Sequence, residues 1–204
     1  GGTGRGQAPA APEFSVFVTG GLNSQLEPCG CHDRLGGHVR RATLFKQFAA
    51  EHPAARVLYL DAGQAFKMDS PEVSYAVPSM MEAMTSLHLD GLNPGGYELS
   101  KGLAPFLTAL AGASFPLTSA NLRHLDGNTP WFSPYLVLKP RPLTAGGAEG
   151  PPVGVLGFTV EERYRVIDGP DGAKAHLIDV MKAADELLPR VQAEARAVIA
   201  IGNF

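Results

Sequence analysis

Four short apolar runs and a fifth, short strand-like run at 116–120 constrain this chain most. They cover 14–19, 56–61, 116–120, 153–158 and 197–201. A strand that is apolar at successive positions is one buried on both faces. Longer stretches of helical periodicity separate the runs, so strand and helix alternate along the chain. The expected fold is therefore α/β, a mostly parallel sheet with helices on both faces. Helices are expected over 37–51, 71–88, 97–111 and 174–195. The first should turn Val39, Ala42, Leu44, Phe45 and Phe48 inward, and the second is entered or broken at Pro78. One more short strand is expected at 135–138.

The 204 residues suit one domain with a real core. Residues 1–12 are small, flexible and core-free, like the tether of a processed exported protein; a tag remnant would read the same way. Residues 13–204 form the domain. It is expected to be incomplete at its C-terminus, because it stops just past a buried strand with no covering element. The remainder of the chain, or a second chain, would complete it. Charge is nearly balanced, 17 basic against 20 acidic residues, and no basic run is present, which excludes nucleic acid as a default partner. No apolar stretch nears the roughly 20 residues needed to span a bilayer.

The chemistry-bearing segment follows the first strand. It reads Leu26-Glu27-Pro28-Cys29-Gly30-Cys31-His32, and Gly36-Gly37-His38-Val39-Arg40-Arg41 comes next. It holds both cysteines of the chain. Loops at the C-terminal ends of strands are where α/β folds place ligands and chemistry. Three readings stand beside one another. The thiols can be inert and half-buried, as free cysteines commonly are. They can be redox-active: a disulfide across one residue is strained, hence readily reduced, and Gly30 eases the bend. A helix opening at Gly36-Gly37, with Arg40 and Arg41 close by, would favour a thiolate. Or Cys29, Cys31, His32 and His38 can ligate one soft metal, zinc or copper(I). Covalent haem attachment needs two residues between the cysteines, and only one is present.

A wider set of landmarks runs in order through the chain. It comprises Thr19-Gly20-Gly21-Leu22-Asn23-Ser24, Gly36-Gly37-His38-Val39-Arg40-Arg41-Ala42, Asp61-Ala62-Gly63-Gln64, Gly95-Gly96-Tyr97-Glu98 with Gly102, Ser119-Ala120-Asn121, Val153-Gly154-Val155-Leu156-Gly157 and Ile201-Gly202-Asn203. This series resembles the 5′-nucleotidase-like branch of the calcineurin-like metallophosphatases. The branch reads Thr-Asn-Asp-x-His-Gly, Gly-Gly-x-x-Arg-x-Ala, Asp-x-Gly-Asp, Gly-Asn-His-Glu, Ser-Ala-Asn and an apolar strand ending in His. The resemblance implies an αββα sandwich and, in ordinary members, two metals bound by Asp, His and Asn side chains.

At the aligned ligand positions this chain carries Gly21, Asn23, Gln64, Gly96 and Asn203, and Tyr97 stands where the third motif has histidine. Glycine offers no side-chain donor, and neutral amides are weak ligands for a catalytic dication. No dinuclear centre is expected. Asp61 and Glu98 keep family positions but are expected only to fix loop ends by hydrogen bonding. The Glu-Pro-Cys-Gly-Cys loop resembles a degenerate subgroup with cysteine or selenocysteine at the position of Cys31. That likeness implies export to the periplasm or beyond, free or lipid-tethered, with a multihaem cytochrome as candidate partner. Three functions follow: a metallophosphatase-like domain using the Cys-Gly-Cys loop for thiol redox or soft-metal binding; a non-catalytic scaffold; or a phosphoester hydrolase completed by further chain.

Overall fold

The computed structural model describes residues 14–30, 36–126, 128–160 and 166–203. In chain order the elements are β1 (Ser15–Thr19), α1 (His38–Glu51), β2 (Arg56–Asp61), α2 (Val73–Ser86), β3 (Gly91–Leu92), α3 (Gly96–Leu99), α4 (Leu103–Ala109), β4 (Leu122–His124), β5 (Leu136–Leu138), β6 (Arg141–Pro142), β7 (Val153–Phe158), β8 (Ile167–Asp168), β9 (Lys174–Leu177), α5 (Val180–Glu194) and β10 (Ala197–Gly202). The tether at 1–12 lies outside the described residues.

Two sheets face each other. One runs β1-β2-β3 in parallel, with β6 antiparallel beside the start of β2. The other runs β10-β7-β5, parallel between β10 and β7 and antiparallel between β5 and β7. Leu60 and Val155 meet Ile201 and Val16 between the sheets. On the outer face of the first sheet, Tyr59 and Phe66 pack with Met80 and Met84 of α2 and Phe106 of α4. On the outer face of the second, Leu156 and Phe158 take Ala183, Leu187 and Val191 of α5, which recur every fourth residue. Strands with a helix layer on one side and a sheet on the other have no wet face. Val57–Asp61 and Val153–Phe158 are accordingly buried throughout. A smaller antiparallel sheet, β4-β9-β8, closes over Leu99 and Leu103.

The strands expected at 14–19, 56–61, 153–158, 197–201 and 135–138 form within a residue or so of those bounds. The strand expected at 116–120 does not form as a ladder. Its residues bridge singly to Leu92 and Ser133, and Ala120 N donates to Gly157 O at 2.7 Å. The segment crosses from one sheet to the other, so no one neighbour accompanies it. The helix expected over 97–111 is split at Gly102, whose φ is 84° and where a Cβ would lie 2.7 Å from Asp168 O. The helix expected from 174 begins only at Val180, where the Asp179 carboxylate accepts from Lys182 N. The four residues of β9 alternate in character and pair with both β4 and β8. That places His176 on a strand rather than a helix surface.

Helix α1 turns only part of the expected set inward: Phe45 and Phe48 face the sheet, Val39 and Leu44 do not. Val39 and Leu44 are 70% and 55% exposed. Phe45 stacks on Phe17 with centroids 4.2 Å apart and meets Tyr59 edge-on, and Phe48 meets Phe17 edge-on, as expected for both. The stripe that faces the sheet is therefore 38, 41, 45 and 48, and it includes Arg41. The two phenylalanines carry more apolar area than Val39 and Leu44, and they set the helix rotation.

Close packing between α5 and the second sheet depends on Gly154. A Cβ there would lie 2.1 Å from Val191 Cγ1. Gly154→Ala should destabilise the fold by about 1–3 kcal/mol. In a denaturant double-mutant cycle, Val191→Ala should recover part of that loss. Additive effects of the two substitutions would contradict this packing.

Candidate functional site

The C-terminal ends of β1, β2, β7 and β10 meet at one place. The loops after β1 and β2 run side by side and extend the strand ladder. Ala62 N donates to Thr19 O, Gly21 N to Gly63 O at 2.8 Å, Asn23 N to Gln64 O at 2.9 Å, and Ser24 N to Ala65 O. Gly21, Asn23, Ser24, Gly63 and Gln64 all have positive φ. At Gly63 the reason is close approach: a Cβ would stand 2.8 Å from Asn93 O. Gln64 packs on Gly95, next to Gly96, where a Cβ on Gly95 would lie 2.9 Å from Gln64 N. Asn203 Nδ2 donates to Gly63 O at 3.3 Å. Gly21, Asn23, Gln64, Gly96 and Asn203 thus lie near one another.

What converges is neutral. Asn23 Oδ1 is buried without a hydrogen-bond partner. The two carboxylates nearby are already committed. Glu98 is fully buried, and its oxygens accept from Gln64 N (3.0 Å), Gly95 N (2.9 Å) and Phe66 N (2.7 Å). Asp61 is also fully buried. It accepts from Thr19 Oγ1 at 2.6 Å and Gly63 N at 2.9 Å. Thr19 Oγ1 also lies 3.2 Å from the Tyr59 hydroxyl. Both acids fix loop ends, as expected from their positions. Among the described residues no three His, Cys, Asp or Glu side chains come together in a way that could hold a metal ion. Two cations 3.5–4 Å apart need anionic ligands between them. One orphaned amide oxygen and committed carboxylates do not fit that requirement.

Sequence reasoning missed the residues that hold this place together. Asn93, fully buried, donates through Nδ2 to Ala62 O (3.2 Å) and Phe158 O (3.0 Å), tying β2 to β7 across the sandwich. Asn121 and Thr159 bond reciprocally at 2.8 and 2.9 Å, and Thr159 Oγ1 donates to Pro94 O at 2.7 Å. The Ser-Ala-Asn landmark marks Asn121. Asn93 had no signal beyond an asparagine just before Pro94-Gly95-Gly96.

The cysteine loop follows Ser24 in the chain. Cys29 is half-buried in the stretch between β1 and α1. Cys31 and His32 lie outside the described residues. Leu26 O accepts from His38 N at 2.6 Å, and a Cβ at Gly37 would lie 2.7 Å from Pro28 N. The chain around Pro28 therefore sits directly on the first turn of α1. His38 Nε2 is 3.4 Å from Ser86 Oγ, and its Nδ1 is buried without a partner. Burial first, and then the Arg41 charge, lower the His38 pKa and favour the neutral ring. Arg40 is exposed. Arg41 turns inward, with Nη2 on Met80 Sδ at 3.8 Å and a buried Nε that has no partner.

Burial pushes Asp61 up to about 7, against the opposing pull of its Thr19 and Gly63 bonds. Glu98 is raised by burial in the same direction. A carboxyl held above its unfolded value of 3.8 favours the fold fully below that value and loses the advantage as pH rises through about 7. Stability should therefore fall between about pH 4 and pH 7. The Asp61 share is on the order of 4 kcal/mol. Asp61→Asn keeps an acceptor for Gly63 N and can donate to Thr19 Oγ1. Urea unfolding across that window should give a visibly flatter profile for the variant. An unchanged slope would exclude Asp61 as the source.

No protein-family model matches the chain. Among curated proteins it is similar to the snake venom 5′-nucleotidases of Gloydius brevicauda and Crotalus adamanteus. Identity is 30% over 158 residues, covering 74% of this chain and 26% of each relative. The chain thus spans about a quarter of the length of those relatives. Among solved structures, the 5′-nucleotidase precursor from Thermus thermophilus superposes with a TM-score of 0.72 at 23% identity, covering 94% of this chain and 37% of that one. The calcineurin-like phosphoesterase YfkN from Bacillus subtilis gives 0.71 at 22% identity, covering 93% and 61%. The fold, the order of its landmarks and these likenesses agree, and the chain belongs to the 5′-nucleotidase-like branch of the calcineurin-like metallophosphatases.

Proposed function

We propose that this is a 5′-nucleotidase-like domain without a dinuclear metal centre, and that its chemistry resides in the Cys29-Gly30-Cys31 loop. One observation carries the reading. Where the strand ends converge, the side chains at the aligned ligand positions are neutral, and both nearby carboxylates are bonded to the protein itself. The cysteine loop follows the first of those strand ends in the chain and rests at Pro28 on the start of α1, the helix that carries Arg41. A helix start and a positive charge both favour thiolate over thiol. A thiolate pair can close to a disulfide, giving two electrons to a disulfide acceptor or one electron to each of two haems. It can equally hold one zinc or copper(I), with His32 or His38 as nitrogen ligand. Location outside the cytoplasm fits the venom origin of the first relatives. No helix among the described residues is long and apolar enough to cross a membrane.

The second reading is a phosphoester hydrolase, favoured by 30% identity to enzymes named as nucleotidases. Assays on the whole protein separate the two. The first reading expects no hydrolysis of a nucleoside monophosphate or a generic phosphate ester above background with added Mn²⁺, Mg²⁺ or Zn²⁺. Turnover that disappears in Gln64→Ala would establish the second. For the loop, the pH dependence of alkylation in the reduced protein should place at least one thiol well below the free value of about 8.5. Cys29→Ser and Cys31→Ser identify which one. Ordinary thiols in both variants, without bound metal or an air-formed disulfide, would leave only a scaffold.

A further inference from the structure

Helix α1 packs along one arc and leaves the other bare. Phe45 and Phe48 hold it on β1 through Phe17, and Arg41 shares their side. At about 3.6 residues per turn the opposite arc carries Val39, Arg40, Thr43, Leu44, Lys46 and Gln47. All of these are exposed, Val39 by 70% and Leu44 by 55%. A groove of about 470 Å³ runs from Gly36 and Gly37 past Arg40, Thr43 and Leu44 to Gln47.

The arc differs from ordinary solvated surface in two ways. Its charge is of one sign. Arg40 and Lys46 are unopposed along it, and Glu51, the sole acid of α1, closes the last turn. The chain as a whole is acidic, with a net charge of -3 at pH 7. On the adjoining loop the acid among the described residues is Glu27, whose carbonyl carbon would lie 3.0 Å from a Cβ at Gly37. The arc also leaves two aliphatic side chains, Val39 and Leu44, standing in water among these cations. It begins where the cysteine loop rests, since Pro28 abuts Gly37 and Cys29 is next in the chain.

We infer that this arc is the docking surface for the partner of the cysteine loop, a protein that presents carboxylates around an apolar spot. The inference rests on the reading that the loop carries the chemistry, and it adds the class of partner. Charge complementarity identifies the occupant. Carboxylates would meet Arg40 and Lys46 at the rim and steer the encounter, and the exposed aliphatics would be covered as water leaves. A lipid surface fits less well. Insertion needs large apolar side chains on the outer face, and the phenylalanines of α1 are engaged on β1.

The test uses the reduced whole protein and two synthetic peptides, each a disulfide-linked dimer, one rich in glutamate and leucine and the other in lysine and leucine. In either reaction a protein thiolate attacks the peptide disulfide, a protein–peptide disulfide forms and one peptide thiol leaves. Each rate is divided by that variant's rate with neutral iodoacetamide, so that a change in thiol ionisation cancels. The acidic peptide should react about tenfold faster at low salt, and its advantage should shrink as salt rises. Lys46→Glu should abolish the preference, and Leu44→Gln should slow the acidic peptide severalfold; both positions are exposed, so neither change reaches the core. Equal rates for the two peptides, or a preference that survives Lys46→Glu, overturns the inference while the chemistry of the loop stands. Thiols inert to iodoacetamide as well overturn that chemistry and the inference together. Binding to phosphatidylserine vesicles that Leu44→Gln abolishes would assign the arc to a lipid surface and overturn the inference likewise.

Discussion

The two sheets are held together at their C-terminal ends by buried side-chain amides, and everything placed there depends on that clamp. Asn93 bonds both to the end of β2 and to the end of β7. Asn121 and Thr159 exchange bonds, and Thr159 passes one on to Pro94, next to Asn93. The members of this seam are buried almost completely, so water cannot replace a lost partner. Each bond contributes only about 1 kcal/mol net, but an orphaned group there costs about 1–3 kcal/mol. The clamp therefore fixes geometry more than it adds stability. Between two apolar sheets, dispersion alone would permit sliding; directional bonds at one end do not.

The same logic assigns the buried carboxylates. An anion buried at the strand ends of this fold invites a metal-ligand reading. Glu98, however, collects three backbone N–H groups from two loops and thereby sets the mouth formed by Gln64, Phe66 and Gly95. Asp61 does the equivalent for Thr19 and Gly63. Donors that converge on a carboxylate compete with a cation for the same lone pairs. These acids hold the loops in a metallophosphatase-like path, Asp61 through two accepted bonds and Glu98 through three.

Much of the fold was legible because strands buried on both sides leave an unbroken apolar signature. Runs at 56–61 and 153–158 could be little else, and both became central strands. The errors share a cause: local pattern competes with partners that are distant in sequence. Local pattern put Val39 and Leu44 on the inward face of α1 with Phe45 and Phe48, but Phe17 on β1 and Tyr59 on β2 hold only the two phenylalanines. Lys174 to Leu177 joined the following helix on periodicity, yet β4 and β8 claimed them as a strand. At the site, ordered landmarks located Gly21, Gln64 and Asn203. Nothing local distinguishes Asn93 from an ordinary loop asparagine, because its role lies in two carbonyls 31 and 65 residues away.

The rotation of α1 has a consequence for the cysteine loop. With Phe45 and Phe48 anchored on β1, position 41 must also face the sheet, since it lies one turn from 45. An arginine there cannot reach bulk water freely, and among the described residues its side-chain partner is a methionine sulfur. Its charge is felt by His38, Tyr59 and Asp61, lowering the proton affinity of each. A half-buried guanidinium favours whatever nearby group can become anionic. Asp61 is too well buried to respond fully, and burial still holds it near 7. The loop that carries the cysteines rests on the first turn of the same helix. The aromatic packing that orients α1 thus also aims this positive charge at the sheet, toward Tyr59 and Asp61.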